Sequence, residues 1–470
     1  MSRELSSTTP ASRVPVLLRP TATDLRALIQ LALPVMAVEM GMMSMHVVDI
    51  LFVGHLSATA LASVSLALIY YFTVVVIGMG TLVGCDALVS QAVGAGDQPA
   101  VRRALQRGLL LAAALCFPLA LILLPTEPVL RALHQPPAII PVATRIVHIS
   151  ILGLPGALSF VVLRQTLQSM ERLRPVLTSV IVANLINAAC NWLFINGHLG
   201  APALGVNGSA IASVVGRTSL PLLLMWTARD VLLPLLRERD PLLFDIAPLL
   251  RMLRIGMPVG VQYLLEVGVF NAVALLMGAQ ATSTLAAHQV AINLASFTFM
   301  MPLGIGAAAA VLVGQAIGRG DAPAARRAAV ASLMIGLAAS AVTTAIFLVA
   351  PRLLASAYVS EPDVITLAAT FIPLAGVFQL FDGLQAIAGG ALRGAADTRA
   401  AMIANILGFW AVGLPLGLLL AYRVGLGPAG LWWGLVAGLA AVSAVLLMRL
   451  YTRFGGPLTR VRVDLVSAAA

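Results

Sequence analysis

Five carboxylates, Glu39, Asp49, Asp86, Glu266 and Asp382, interrupt stretches of this 470-residue chain that are otherwise apolar. In the run HVVDILFVGH, residues 46–55, Asp49 is surrounded by Val47, Val48, Ile50, Leu51, Phe52 and Val53. A carboxylate at the centre of a bilayer costs roughly 2.5–3.5 kcal/mol on insertion scales. Acids that bear this cost face a water-filled cavity, bind cations or carry a proton part of the time. Glu266 falls about midway along its apolar segment and Asp49 towards the outer end of its own. Asp86 lies near the inner end of its segment, where an interfacial position is the plainer account. No arginine is placed to neutralise four or five acids, and Arg217 is the main basic residue within an apolar segment.

Asp49 has polar company. His46, three residues earlier, shares its helical face. The segment VIVANLINAACNWLF carries Asn184, Asn187 and Asn191, the last two four residues apart and so stacked on one face. A carboxylate with side-chain amides is a hard oxygen set that suits Na⁺ or a proton-linked network. The alternative is that the asparagines join helices by hydrogen bonds. His46 and Asp49 are a weak catalytic or metal pair, because no further His/Cys cluster and no activated nucleophile accompany them. No GxxxxGK[ST] string is present to suggest ATP as a direct energy source. Cys85, Cys116 and Cys190 all fall in apolar segments and read as small packing residues, with neither disulfide nor metal spacing. No resident cofactor is expected.

The elements that must position these groups are membrane spans. Sixty per cent of the residues are hydrophobic and 10% charged, against about half and a quarter in a soluble domain. Apolar runs of span length fall near 27–53, 60–92, 104–124, 138–162, 176–196, 205–228, 251–277, 285–317, 328–350, 364–389, 400–422 and 428–450. The expected fold is an all-α polytopic membrane protein of twelve helices. The first 24 residues are polar and rich in Pro, Ser and Thr, so the first span is expected to serve as the targeting signal. With the N-terminus inside, arginines divide 24 inside against 4 outside, Arg217 lying within a span. This bias places both termini in the cytoplasm. It also accounts for the net charge of +10, with no need of a nucleic-acid partner.

The chain repeats itself. SQAVGAGDQPAVRRA at 90–104 returns as GQAIGRGDAPAARRA at 314–328, an offset of 224. The same offset carries Pro34 onto Pro258, Leu61 onto Leu285, Gly80 onto Gly304 and Gly94 onto Gly318; Gly205 falls on Gly430 at 225. Six spans separate equivalent points, so the halves share one topology in a parallel repeat. The expected organisation is a tail at 1–24, an N-lobe at 25–228, a cytoplasmic linker at 229–249, a C-lobe at 250–450 and a tail at 451–470. Two six-helix bundles that rock about a seam are a common transporter plan. Pro34 and Pro258 mark matching bends, fixed or moving. Met36, Met40, Met42, Met43 and Met45 in span one form an adaptable surface, for a varied ligand or for packing alone. The acids are not duplicated: Asp49 falls on Val273, Glu266 on Met42 and Asp382 near Ala157. The halves therefore share a scaffold and differ in chemistry.

Taken in order, several strings resemble the multidrug and toxic compound extrusion (MATE) family, and its NorM-like branch, over roughly residues 24–450. They are VDILFVGHLS, NAACNWLF, GAPALGVNGSAIAS, LLEVGVFNAVALL, AAHQVAINLASFTFMMPLGIGAAAAVLVGQAIGRGD and FDGLQAIAGGALRGAADTR. The resemblance implies a secondary antiporter that exports cationic drugs and dyes in exchange for Na⁺ or H⁺. It implies that Asp49, Asn187, Asn191 and Ser213 form a coupling-cation site in the N-lobe. Glu266 and Asp382 match the two C-lobe acids implicated in coupling-ion or drug binding. Glu39 and Asp86 match no acids of that branch. The implied setting is a bacterial inner membrane, with the chain acting as a monomer. A related two-lobed flippase for lipid-linked precursors is the main rival. Its anionic cargo calls for an arginine-rich cavity, whereas the charges within spans here are acids with Arg217 as the main exception. An intramembrane enzyme is the lesser rival.

Overall fold

A computed structural model of the chain describes residues 18–238 and 243–462. Arg3 and Arg13 in the N-terminal tail, Arg239 in the inter-lobe segment and residues 463–470 lie outside the described residues. Every regular element among the described residues is helical. Eleven helices are long and apolar enough to cross a bilayer, and a bent pair makes a twelfth span. In chain order, spans one to six are Ala22–Gly54, Ala58–Val83 continued by Asp86–Gly94, Gln98–Leu123, Ile140–Ile151 with Leu154–Ser169, Leu173–Asn196 and Val206–Thr227. Spans seven to twelve are Ile246–Gln280, Thr282–Gly318, Ala322–Val349, Pro362–Gly394, Arg399–Arg423 and Pro428–Gly455. Helix throughout is what a bilayer demands, since backbone groups must find their partners within the segment. The segment between the halves carries a helix of its own, Arg229–Arg237, whose Leu232 and Leu235 are buried.

The repeated strings fold alike. Gly96 and Gly320 both take the left-handed region, with φ of 67° and 76°, which a glycine adopts without penalty. The next residues, Asp97 and Asp321, cap spans three and nine by accepting hydrogen bonds from the backbone N–H of Ala100 and Ala324, at 3.0 and 2.9 Å. Span four bends by 49° between Ile151 and Leu154, where Pro155 supplies no N–H to the preceding turn. One equivalence differs from the expected register. Gly205 and Gly427, 222 residues apart, both precede a span with positive φ. Gly427, and not Gly430, is thus the counterpart of Gly205, because the N-half spends an extra short turn at His198–Gly200.

Spans four and ten run to Ser169 and Gly394, past their expected ends at 162 and 389. Each carries an arginine in its last turns, Arg164 and Arg393, so the apolar signal stops before the helix does. Arg164 and Arg393, expected in the inner segments beyond spans four and ten, thus belong to those helices.

One buried cluster draws on residues of the first half and reaches Met252 at the start of span seven. A second draws on residues 269–454. A third joins Leu28, Leu31 and Val35 of span one to Ile305, Ala308 and Val311 of span eight. The described parts of both tails lie on one face. Arg327, after the loop before span nine, donates to Asp24 at 3.1 Å, and Arg460 donates to Asp97 at 2.8 Å. We call this the tail face.

The halves meet most closely near the tail face, and they do so in symmetric pairs. A Cβ on Gly80 would lie 2.8 Å from the Cα of Gly260, and one on Gly304 would lie 2.9 Å from the backbone N of Met36. Each contact falls two residues after a proline, Pro258 and Pro34. Close to the pseudo-axis, a Cβ on Gly94 would stand 2.1 Å from the Gln315 carbonyl oxygen, and one on Gly318 2.1 Å from that of Gln91. The two glutamines each reach into the opposite half. Gln91 donates to the Gly394 carbonyl at 2.9 Å, and Gln315 donates to the Ser169 carbonyl at 3.0 Å. Ser169 and Gly394 end spans four and ten, where helix carbonyls lack intrahelical partners. Without a hydrophobic force between helices inside lipid, such close small-residue packing and hydrogen bonding hold the seam.

Candidate functional site

In the N-half, span one presents Asp49 to spans five and six. Asn187 and Asn191 are one turn apart, and both donate through Nδ2 to Asp49 Oδ1, at 3.0 and 2.7 Å. Ser213 of span six donates to Oδ2 at 2.5 Å. Asp49 is 3% exposed, and both asparagines are fully buried. Asn191 Nδ2 also faces the Asn187 carbonyl at 3.0 Å and Asn187 Oδ1 at 3.3 Å. With three acceptors around it, the Asn191 amide has a fixed orientation. The carboxyl group is thus buried and held by three donors from two other spans. Asn184 does not join them: it donates to the Gly41 carbonyl at 2.9 Å and so fastens span five to span one. His46 contacts the Met42 carbonyl at 3.3 Å and lies within electrostatic reach of Asp49 and Arg217. Arg217 is buried, one turn beyond Ser213, with its guanidinium 4.7 Å from the centre of the Tyr71 ring.

In the C-half, Glu266 of span seven is half-buried and accepts a hydrogen bond from Gln385 of span ten at 3.3 Å. Asp382, also on span ten, is 5% exposed and lies within electrostatic reach of Glu266. One turn farther from the tail face, Phe270 and Phe378 meet edge to face at 5.8 Å. The two halves therefore carry separate acidic centres. The first is saturated with hydrogen-bond donors; the second pairs two acids with one amide donor to Glu266.

The remaining acids belong to neither centre. Glu39 accepts from Arg164 at 2.8 Å, with both side chains largely buried. Asp86 is 5% exposed, enclosed by protein. It lies in the seam within electrostatic reach of Arg393, Arg164 and Glu39. Tyr263 of span seven is in reach of the same group and of Glu266. This charged cluster joins the two halves on the tail-face side of Glu266. Its arginines were hidden from sequence reasoning by the underestimated lengths of spans four and ten. The seam glutamines were in plain view in the repeated strings, where invariance between the halves was their signal.

The MatE family model matches residues 34–193 and 258–419, so its two copies begin at Pro34 and Pro258. A protein named "Probable multidrug resistance protein NorM" from Mesorhizobium japonicum is 36% identical over 443 residues, covering 91% of this chain and 93% of the relative. Its namesake from Rhizobium meliloti is 35% identical over 442 residues, with the same coverage of 91% and 93%. The crystal structure of the eukaryotic MATE transporter AtDTX14 superposes with a TM-score of 0.84 at 22% identity, covering 92% of this chain and 97% of that one, a likeness of fold.

Proposed function

This chain belongs to the MATE family, and from that premise we propose that it is a secondary multidrug exporter, exchanging organic cations for a monovalent coupling cation by rocking of its two halves. The observation that carries this reading is Asp49: a buried carboxylate held by donors from spans five and six, with no counterpart at Val273. A purely structural need would be expected in both copies of the repeat. Asp49, Asn187, Asn191 and Ser213 serve the coupling ion, Na⁺ or H⁺, and Glu266 with Asp382 serve cationic cargo or a second coupling ion. The arginine bias puts the tail face in the cytoplasm of a bacterial inner membrane. The packed seam there is then the closed cytoplasmic side of the cycle, from which cargo leaves towards the opposite face.

Competition for a negative site couples opposite fluxes, because proton, Na⁺ and cationic cargo each neutralise it and exclude the others. The electrical drive on one inward cation is about 2.3 kcal/mol per 100 mV, enough to sustain a useful cargo gradient. The chain works as a monomer, without a resident cofactor. Against a lipid-precursor flippase, Arg164 and Arg393 face acids in the seam and do not offer an unoccupied basic surface.

The decisive experiment is dye efflux from proteoliposomes under an imposed proton gradient and, separately, an imposed Na⁺ gradient. Efflux under at least one gradient is expected. Glu266→Gln and Asp382→Asn should reach normal membrane levels and lose cationic-dye efflux. Wild-type rates in both variants would remove these acids from the cargo site, and no efflux under either gradient would reject ion-driven export.

A further inference from the structure

Arg217 is unaccounted for by the exchange scheme. A buried guanidinium in a membrane half is costly and, unlike a buried lysine, it does not shed its proton. Span six presents it one turn beyond Ser213, the residue that donates to Asp49. Tyr71 of span two supplies a ring face beneath it at 4.7 Å, a cation–π seat that fixes its position. No ion pair with Arg217 occurs among the described residues, and its Nη1 is buried without a hydrogen-bond partner. Its charge is therefore left to act on the site. Its field and that of Asp49 meet at His46.

Na⁺ binding needs several oxygen ligands. Around Asp49 the neighbouring groups present hydrogens: Asn187 and Asn191 through Nδ2 and Ser213 through its hydroxyl. To face a cation with its oxygen, Asn191 must rotate its amide. That rotation sets Oδ1 against Asp49 Oδ1, the Asn187 carbonyl and Asn187 Oδ1, all acceptors. Only a tightly held cation would repay the rearrangement, and a fixed positive charge nearby weakens every such cation. Among the charged or titratable groups on these spans, His46 of span one lies within electrostatic reach of both Asp49 and Arg217, Tyr71 of span two packs on Arg217, and Cys190 of span five neighbours Asn191 in sequence.

We propose that Arg217 is a selectivity residue whose permanent charge keeps Na⁺ out of the Asp49 site. The inference rests on the coupling role given to that site, and it narrows the ion served there to the proton.

The test measures ²²Na⁺ binding to the purified full-length protein in nanodiscs, in wild type, Asp49→Asn, Arg217→Gln, Arg217→Lys and the Asp49→Asn/Arg217→Gln pair. Wild type should show no Na⁺ binding that Asp49→Asn removes. Arg217→Gln should gain about tenfold in Na⁺ affinity, the change that about 1.4 kcal/mol less like-charge repulsion gives, and the added Asp49→Asn should abolish the gain. Arg217→Lys should exclude Na⁺ at low pH and lose the exclusion as pH rises, because a buried lysine sheds its proton and an arginine does not. Asp49-dependent Na⁺ binding by wild type would overturn the proposal, and so would a folded Arg217→Gln protein that gains none. If Arg217→Gln does not fold, Arg217→Lys read across pH tests the charge in its place, and Na⁺ exclusion that does not change with pH would overturn the proposal. Failure of both gradients to drive dye efflux would strike the exchange reading instead and leave the binding result standing.

Discussion

At the scale of single residues, two acids of span one answer different needs. Asp49 accepts three hydrogen bonds from neutral donors, so its charge can change without leaving a partner charge bare in direct contact. Asp49→Asn keeps the shape and removes a desolvation cost. It is expected to express and bind dye normally while ion-driven efflux falls by more than about tenfold, the scale of losing a charge-assisted site. Dye binding measured beside efflux checks this: loss of both moves Asp49 to the cargo site, and retained efflux ends its coupling role. Asn191→Ala should weaken the ion dependence without erasing it, since the charge stays. Glu39 is the contrasting case, since its partner Arg164 is itself charged and buried. Glu39→Ala should destabilise by about 3–5 kcal/mol by stranding the guanidinium, and Glu39→Ala with Arg164→Met should recover most of the loss. Thermal unfolding in detergent reads both, and an unchanged melting point for Glu39→Ala would deny the pair its structural role.

At the scale of elements, the seam is a contact between helix ends. Gln91 and Gln315 occupy matching positions of the repeat, and each satisfies a carbonyl at the end of the other half's helix. Under the proposed exchange scheme, rocking must break both bonds together. At about 1 kcal/mol net per buried hydrogen bond, Gln91→Ala or Gln315→Ala should shift the closed-to-open ratio of the tail face about fivefold. Spin labels at the exposed residues Gln98 and Arg319 would report longer distances. Gly94→Leu should go further, because its side chain would enter the space of the Gln315 backbone. Unchanged distance distributions in all three would mean the seam is held elsewhere.

The C-terminal tail crosses the same seam. The Val461 N–H donates to Gln91 at 2.8 Å, and Arg460 holds Asp97. Asp97 lies in a loop. Burial acts to raise its carboxyl, but the hydrogen bonds from Arg460 and the Ala100 N–H, with the charges of Arg460 and Arg103, hold it below the ordinary 3.8. A carboxyl lowered on folding contributes fully above its unfolded value and loses that contribution as pH falls through the folded one. Tail docking should therefore persist at pH 5. The exchange protection factor of the Val461 amide should be alike at pH 5 and 7, and severalfold lower in Asp97→Asn.

At the scale of the whole molecule, the expected topology follows from arginines and parity. Loops 95–97 and 319–321 lie on the face that carries both tails, each with an arginine pair soon after it. Single cysteines at Gln98 and Ala322 in a cysteine-free protein should both resist an impermeant thiol reagent in intact cells. Labelling of either from outside would invert the assigned orientation, or break the common orientation of the halves.

The twelve spans were legible in the sequence because the bilayer makes length and hydropathy nearly sufficient to specify a helix. The duplication was legible because it is written into the chain, down to the Gly-Asp turns that cap spans three and nine. Asn187 and Asn191 could be placed on one face from their spacing alone. That Asn184 turns away to Gly41, that Arg164 meets Glu39, and that Arg217 stands a turn from Asp49's hydroxyl donor were decided only by packing. Helical periodicity fixes which side chains share a face. It does not fix the rotation of that face against a helix more than a hundred residues away, nor how far a helix continues once charged residues end its apolar run.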